Sequence, residues 1–160
     1  MASKVDCYWA QFLDSIPAGQ AKPNRYVESF FFGTRPDSAH EITRLVLDGT
    51  KTATGDLLWS AEADGRHPAR QDDCWVVTNG GGDPACIIQT FDVRIIPFDE
   101  VEEEYALWGG EGDRTMDSWR DMYWSFIVSE CKRIGRTANL KAPLIMDRFR
   151  VVYAEPLQAR

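Results

Sequence analysis

The sequence predicts one α+β domain over residues 1–160, and three observations carry that prediction. Short segments rich in β-branched and aromatic residues recur along the chain. Helical patterns stand at the start, after the first of these strands and before the last, an arrangement that suits a curled sheet with helices laid against it. A content of 44% hydrophobic and 12% aromatic residues in 160 is enough for one sizeable core.

Residues 4–15 place Val5, Tyr8, Trp9, Phe12 and Leu13 at helical spacing, with Ser3 as cap and Pro17 after the stop. Such an aromatic stripe packs on a sheet far more often than it stacks on bases. Residues 17–25 read as a loop from their Pro, Gly and Asn content, and residues 26–32 as a strand ended by Gly33. Ser38 and Glu41 have the form of a capping box, and Ile42, Leu45 and Val46 supply the stripe of a helix closed by Gly49. Residues 54–59 read as a strand and residues 60–73 as a polar connection. Residues 74–78 and 85–93 are strands around the turn Asn79-Gly80-Gly81-Gly82-Asp83-Pro84. Those glycines make no phosphate loop, because no Lys-Ser or Lys-Thr pair follows and the next element is a strand.

Residues 99–108 form a short acidic helix stopped by Gly109-Gly110, its glutamates a solvated face. A long helix follows, with Met116, Trp119, Tyr123, Phe126, Ile127, Cys131 and Ile134 as its core stripe. Thr115 or Asp113 caps it, Lys132 and Arg133 suit its last turn and Gly135 ends it. Residues 144–153 give the final strand.

Composition narrows the function classes. No apolar run approaches the roughly 18 residues that span a bilayer, and the first residues lack the apolar core of a secretion signal, so a cytoplasmic protein is expected. The cysteines Cys7, Cys74, Cys86 and Cys131 lie far apart without a Cys-x-x-Cys pair, and buried free thiols are the expected reading. His40 and His67 share no ligand spacing with each other or with a cysteine, so neither a zinc site nor any other cofactor is predicted. A divalent ion held by carboxylates stays open. A net charge of -7 opposes the basic footprint of a protein that tracks duplex nucleic acid. It is compatible with a nucleoside, or a short single-stranded RNA held locally by a few arginines. The oligomeric state is not legible.

The chemistry concentrates in Gly49-Thr50-Lys51-Thr52-Ala53-Thr54, one lysine among three hydroxyls just after a helix stop. A turn there could aim an amine and a threonine oxygen at one bound group, a nucleophile and base pair. In a regular strand Lys51 and Thr54 would point to opposite faces, so a turn or bulge has to intervene. The bland alternative is a strand that merely starts with polar residues. A helix C-terminus before Lys51 favours its ammonium form, so acting as a base would require desolvation or a neighbouring cation. Glu111 lies between glycines that let its backbone approach whatever sits opposite, and its carboxylate could face the Lys51 turn. Thr52, Trp59, Asp113, Arg114, Arg120 and Trp124 are candidates for binding a base, sugar or phosphate. Salt bridges to the acidic helix, helix capping and core packing are the alternatives for them.

Gly-x-Lys-Thr-x-Thr, followed some sixty residues later by Gly110-Glu111-Gly112-Asp113 and then by Trp119-Arg120, resembles the ASCH family over most of the chain. The resemblance implies a small PUA-like β-barrel of about five to six strands flanked by several helices, with a cleft beside the Lys51 turn. Some small members of that family are amidohydrolases that remove the acyl group from N4-acylcytidine; others are described as ribonucleases or as RNA-binding domains. Carried over, the amidohydrolase pattern falls on Lys51, Thr54 and Glu111. Lys51 would accept the Thr54 proton, Thr54 would attack the acyl carbon, and Glu111 would orient the amine or a water. For RNA cleavage Lys51 would instead neutralise the phosphate, with Glu111 or a substrate hydroxyl as base. Two departures stand out. Gln71-Asp72-Asp73 replaces the usual Gly-Asp before the next strand, and Tyr123 stands where related chains tend to show histidine.

Overall fold

The computed structural model describes residues 1–23, 26–33 and 36–154. In chain order the elements are α1 (Lys4–Ser15), β1 (Tyr26–Phe30), α2 (Pro36–Leu47), β2 (Ala53–Leu57), α3 (Leu58–Ala63), β3 (Cys74–Thr78) and β4 (Pro84–Pro97). A 3-10 turn (Phe98–Glu100), α4 (Glu104–Gly109), α5 (Met116–Ile134) and β5 (Pro143–Tyr153) complete them. The strands form one five-stranded sheet of order β1-β3-β4-β5-β2, so the fold is α+β with the strand count at the lower end of the expected range. The pair β1/β3 is parallel, and the pairs β3/β4 and β2/β5 are antiparallel. Among the described residues no helix is long and apolar enough to cross a membrane.

Two compact units share these strands. The first holds Met1–Gly49, Gln71–Phe91 and Phe149–Arg160. Alternation along β3 sends Cys74 and Val76 into a cluster with Tyr8 and Phe12 of α1, and Val77 into another with Val46 of α2 and Phe149. Both faces of β3 are thereby covered, which is why its sequence is apolar from Cys74 to Val77 rather than alternating. Helix α1 starts where its cap predicts: the Ser3 hydroxyl accepts from the Asp6 amide, and the Asp6 carboxylate accepts from the Ser3 amide. Ser38, by contrast, lies two residues inside α2, so it is not the cap; the cap position falls outside the described residues, as do the last two residues of the predicted loop at 17–25. Cys74, Cys86 and Cys131 are buried free thiols and Cys7 is exposed. Burial pushes the Cys74 thiol up to about 11, with Asp73 and Asp72 adding to it, and the Cys86 thiol up to about 12. Both are poor nucleophiles in consequence.

The loop before β3 accommodates its missing glycine. Asp72 takes the left-handed conformation, φ 71°, that a glycine would occupy, and its amide donates to the Thr90 carbonyl at 2.8 Å. Aspartate tolerates that region better than most residues.

The second unit holds Thr50–Arg70 and Asp92–Arg148. Strand β2 pairs with β5 from Ala53 opposite Arg148 to Leu57 opposite Leu144. Ala53, Leu57, Leu144 and Met146 pack with Tyr105 and with Trp119, Tyr123, Ile127 and Cys131 of α5. Helix α5 begins at a Thr115 hydroxyl that accepts from the Ser118 amide at 3.2 Å and ends at left-handed Gly135, as its sequence predicts. Two predicted elements differ. Strand β2 stops at Leu57, and α3 takes up Leu58-Trp59-Ser60-Ala61-Glu62-Ala63, where alanine and glutamate favour a helix and Ser60 and Ala61 are buried. The acidic segment divides into the 3-10 turn and α4, because Val101 between them is extended, φ -68° and ψ 131°.

Candidate functional site

Every candidate site residue lies in the second unit, so the site can be built from one set of elements. Lys51 precedes β2 and is outside the strand, which removes the two-face objection to its working with Thr54. Its side chain is only 2% exposed. The amine donates to the Ala53 carbonyl at 2.9 Å, to the Gly109 carbonyl at 3.2 Å and to Glu111 Oε2 at 3.0 Å. Through these contacts Lys51 ties the start of β2, the end of α4 and the Glu111 carboxylate together.

Close backbone approach makes this contact possible. A Cβ on Gly110 would fall 2.8 Å from the Thr50 carbonyl oxygen and 3.0 Å from the Lys51 Cα, and Gly110 itself is left-handed at φ 71°. Only glycine satisfies both conditions. Beside it the Thr52 amide donates to the Trp108 carbonyl at 2.7 Å, a second link between the two segments. Glu111 keeps 23% of its side chain exposed, so the ion pair has one buried end and one that meets solvent.

Thr54 lies in β2, half-buried and directly across from Asp147 of β5. Neighbouring Gly55 packs under Tyr123: a Cβ there would meet the phenol oxygen at 3.0 Å, the ring Cε1 at 2.9 Å and the Met146 sulfur at 2.8 Å. Burial holds the Tyr123 phenol well above its ordinary range, the nearby charges of Glu111 and Asp147 add to this, and interactions with the Thr54 side chain and the Gly55 backbone act the other way. Tyr123 thus sees Thr54, Asp147 and Glu111 at once. Lys51 and Glu111 touch, while Thr54 joins the group through Tyr123.

The remaining candidates are placed by other tasks. Thr52 is half-buried beside Lys51. Asp113 accepts from the Thr115 amide at 2.9 Å and the Thr115 hydroxyl at 2.6 Å, contacts that lower its carboxyl pKa. Arg114, left-handed at φ 63°, donates from Nε and Nη2 to the Leu107 carbonyl and so caps the end of α4. Arg120 is exposed, with Asp117 at 4.0 Å. Trp59 lies on α3 with the Arg136 guanidinium 3.9 Å over its ring, and Trp124 packs on Phe98 with ring centroids 5.6 Å apart. Arg120, Trp59 and Trp124 thus have partners other than the Lys51–Glu111 pair. Among the described residues no group of three or more His, Cys, Asp and Glu side chains is placed to hold a metal ion.

Sequence reasoning placed Tyr123 in the core stripe and passed over Asp147 altogether. The polar end of a tyrosine is the signal that could have marked the first, since a buried phenol needs a partner. Asp147, an acid inside an apolar strand and only 8% exposed, could have been marked by its composition alone.

Comparisons with known proteins bear on the same region. An ASCH domain from Lactobacillus crispatus JV V101 superposes with a TM-score of 0.88 at 27% identity over 96% of this chain and 96% of its own. A protein from Enterococcus faecalis V583, of a family of unknown function, superposes with a TM-score of 0.80 at 24% identity over 94% of this chain and 89% of its own, which speaks for the fold alone. No curated protein matches the sequence. The sequence profile of the ASCH domain covers residues 28–153, taking in the Lys51 turn, the Glu111 loop and Tyr123, and the chain therefore belongs to the ASCH domain family.

Proposed function

We propose that the protein is a hydrolase acting on an acylated cytosine nucleoside, with Thr54 as nucleophile and the Lys51–Glu111 pair as its charged partner. The observation that carries this reading is a lysine 2% exposed paired at 3.0 Å with an acid that still meets solvent. Keeping a charge buried costs several kcal/mol unless it is matched, and a purely structural pair needs no open end.

The step is an acyl transfer. The Thr54 oxygen attacks the acyl carbon, the carbon–nitrogen bond breaks, and the threonine proton leaves with the cytosine amine. Water then hydrolyses the threonine ester, releasing the acid and restoring the hydroxyl. In this reading Lys51 is a fixed cation, which its hydrogen bonds to two carbonyls and to Glu111 support, because acting as the base would require it to give up an acceptor. Glu111, held by Lys51 through one oxygen, has the other available to carry the proton.

Incubation with N4-acetylcytidine should release acetate. Thr54→Ala and Glu111→Gln should each lower the rate at least about a hundredfold, the scale of a lost nucleophile or general base. Lys51→Arg separates the roles: retention of a substantial part of the rate supports the fixed cation, and abolition supports lysine as base. Absence of acetate release by the unaltered protein would overturn the proposal.

A further inference from the structure

We infer that Tyr123 is a positioning residue for the Thr54 hydroxyl, an inference that rests on the hydrolase reading above. Its ring is fixed on one side by Trp119, stacked at 4.4 Å between centroids and 24° between planes, and on another by Phe126 at 6.2 Å. The phenol oxygen is directed at the Thr54-Gly55 segment, where glycine leaves the space that any side chain would fill. It interacts with the Thr54 side chain, and Glu111 and Asp147 lie near enough for their charge to act on it. Threonine by itself chooses among staggered χ1 rotamers, and a hydroxyl so placed favours the one that meets the phenol. Because burial keeps the phenol protonated, its partner role does not change over the working pH range. The contact acts through Thr54 and not on the substrate, so it belongs to orientation, where a displacement of about 1 Å costs roughly a hundredfold in rate.

Tyr123→Phe keeps the stacked ring and removes only the oxygen. Acetate release from N4-acetylcytidine should show kcat lowered roughly tenfold to a hundredfold with KM within about threefold, since the ground-state contacts are untouched. Three-bond couplings to the Thr54 methyl carbon, read without substrate, should pass from one χ1 rotamer to an average, while those of Thr52 stay as they are. Gly55→Ala is the second variant: its methyl group would push the phenol aside while leaving the oxygen in the molecule, and the same change in the Thr54 couplings is expected. A single Thr54 rotamer in both variants overturns the inference, as does an unchanged kcat in an active protein. If the unaltered protein releases no acetate, the hydrolase reading fails on its own and the couplings alone decide whether Tyr123 orients Thr54.

Discussion

A lysine that is 2% exposed is accompanied inside the protein by a carboxylate and two carbonyls. Lys51→Met would leave Glu111 and both carbonyls without that donor, and breaking one side of a buried pair costs about 3 kcal/mol or more. Urea unfolding should show a loss of that size. Glu111→Gln keeps an acceptor in place but removes the charge that matches the buried ammonium, and should cost a similar amount, about 3 kcal/mol. At this scale the sequence was legible where spacing and glycine speak: Lys51 and Glu111 do meet, and Gly110 approaches the backbone opposite it. It was silent where one residue does two things. Tyr123 has the periodicity of a core position and occupies one, so its hydroxyl left no mark in the pattern. Asp113, read both as a helix cap and as a ligand contact, bonds Thr115 at the start of α5, and Arg114, read as a ligand or salt-bridge group, bonds the Leu107 carbonyl of α4.

Helix α3 is the element that sequence pattern failed to find, because six residues with one buried side give too little period to read. It is held to α5 by Arg133, which donates to both Asp64 oxygens at 2.9 Å and to Glu130 at 2.9 Å. Hydrogen bonds from Arg133 hold the Asp64 and Glu130 carboxyls below their ordinary values. A carboxyl depressed in the folded state adds stability above its unfolded pKa of roughly 4, and that stability is lost as pH falls through the folded value. The melting temperature should therefore fall as pH drops below about 4.5, and Arg133→Leu should flatten that part of the profile. Helices α1 and α5 were legible to their ends, since caps and terminal glycine mark them. Strand β4 runs to Pro97, beyond the predicted end at 93, because Ile95 and Ile96 continue the extended run where no turn residue interrupts it. In the loop before β3, Asp72→Ala should cost about 1 kcal/mol while Asp72→Gly is neutral or better, a test of the left-handed backbone by denaturant titration.

A net charge of -7 sets the long-range behaviour of the molecule. A neutral nucleoside neither gains nor loses from that field, so KM for N4-acetylcytidine should change little between low and high salt. Short single-stranded RNA should show a slope corresponding to about one to three phosphates, against six or more for a protein that tracks duplex. A steep slope in a filter-binding titration would count against a local site. The fold class was legible because apolar runs and amphipathic helices alternate along the whole chain; the strand order β1-β3-β4-β5-β2 was not, because pairing is decided by contacts between segments far apart. The Thr52 amide, bonded to the Trp108 carbonyl at 2.7 Å, inherits that non-locality. Its proton can exchange with deuterated water only when the segment around Lys51 separates from the end of α4, so its exchange rate counts how often the two halves of the site come apart. A ligand that bridges them should slow that single amide more than its neighbours in β2, and the site's opening can be timed without any chemistry taking place.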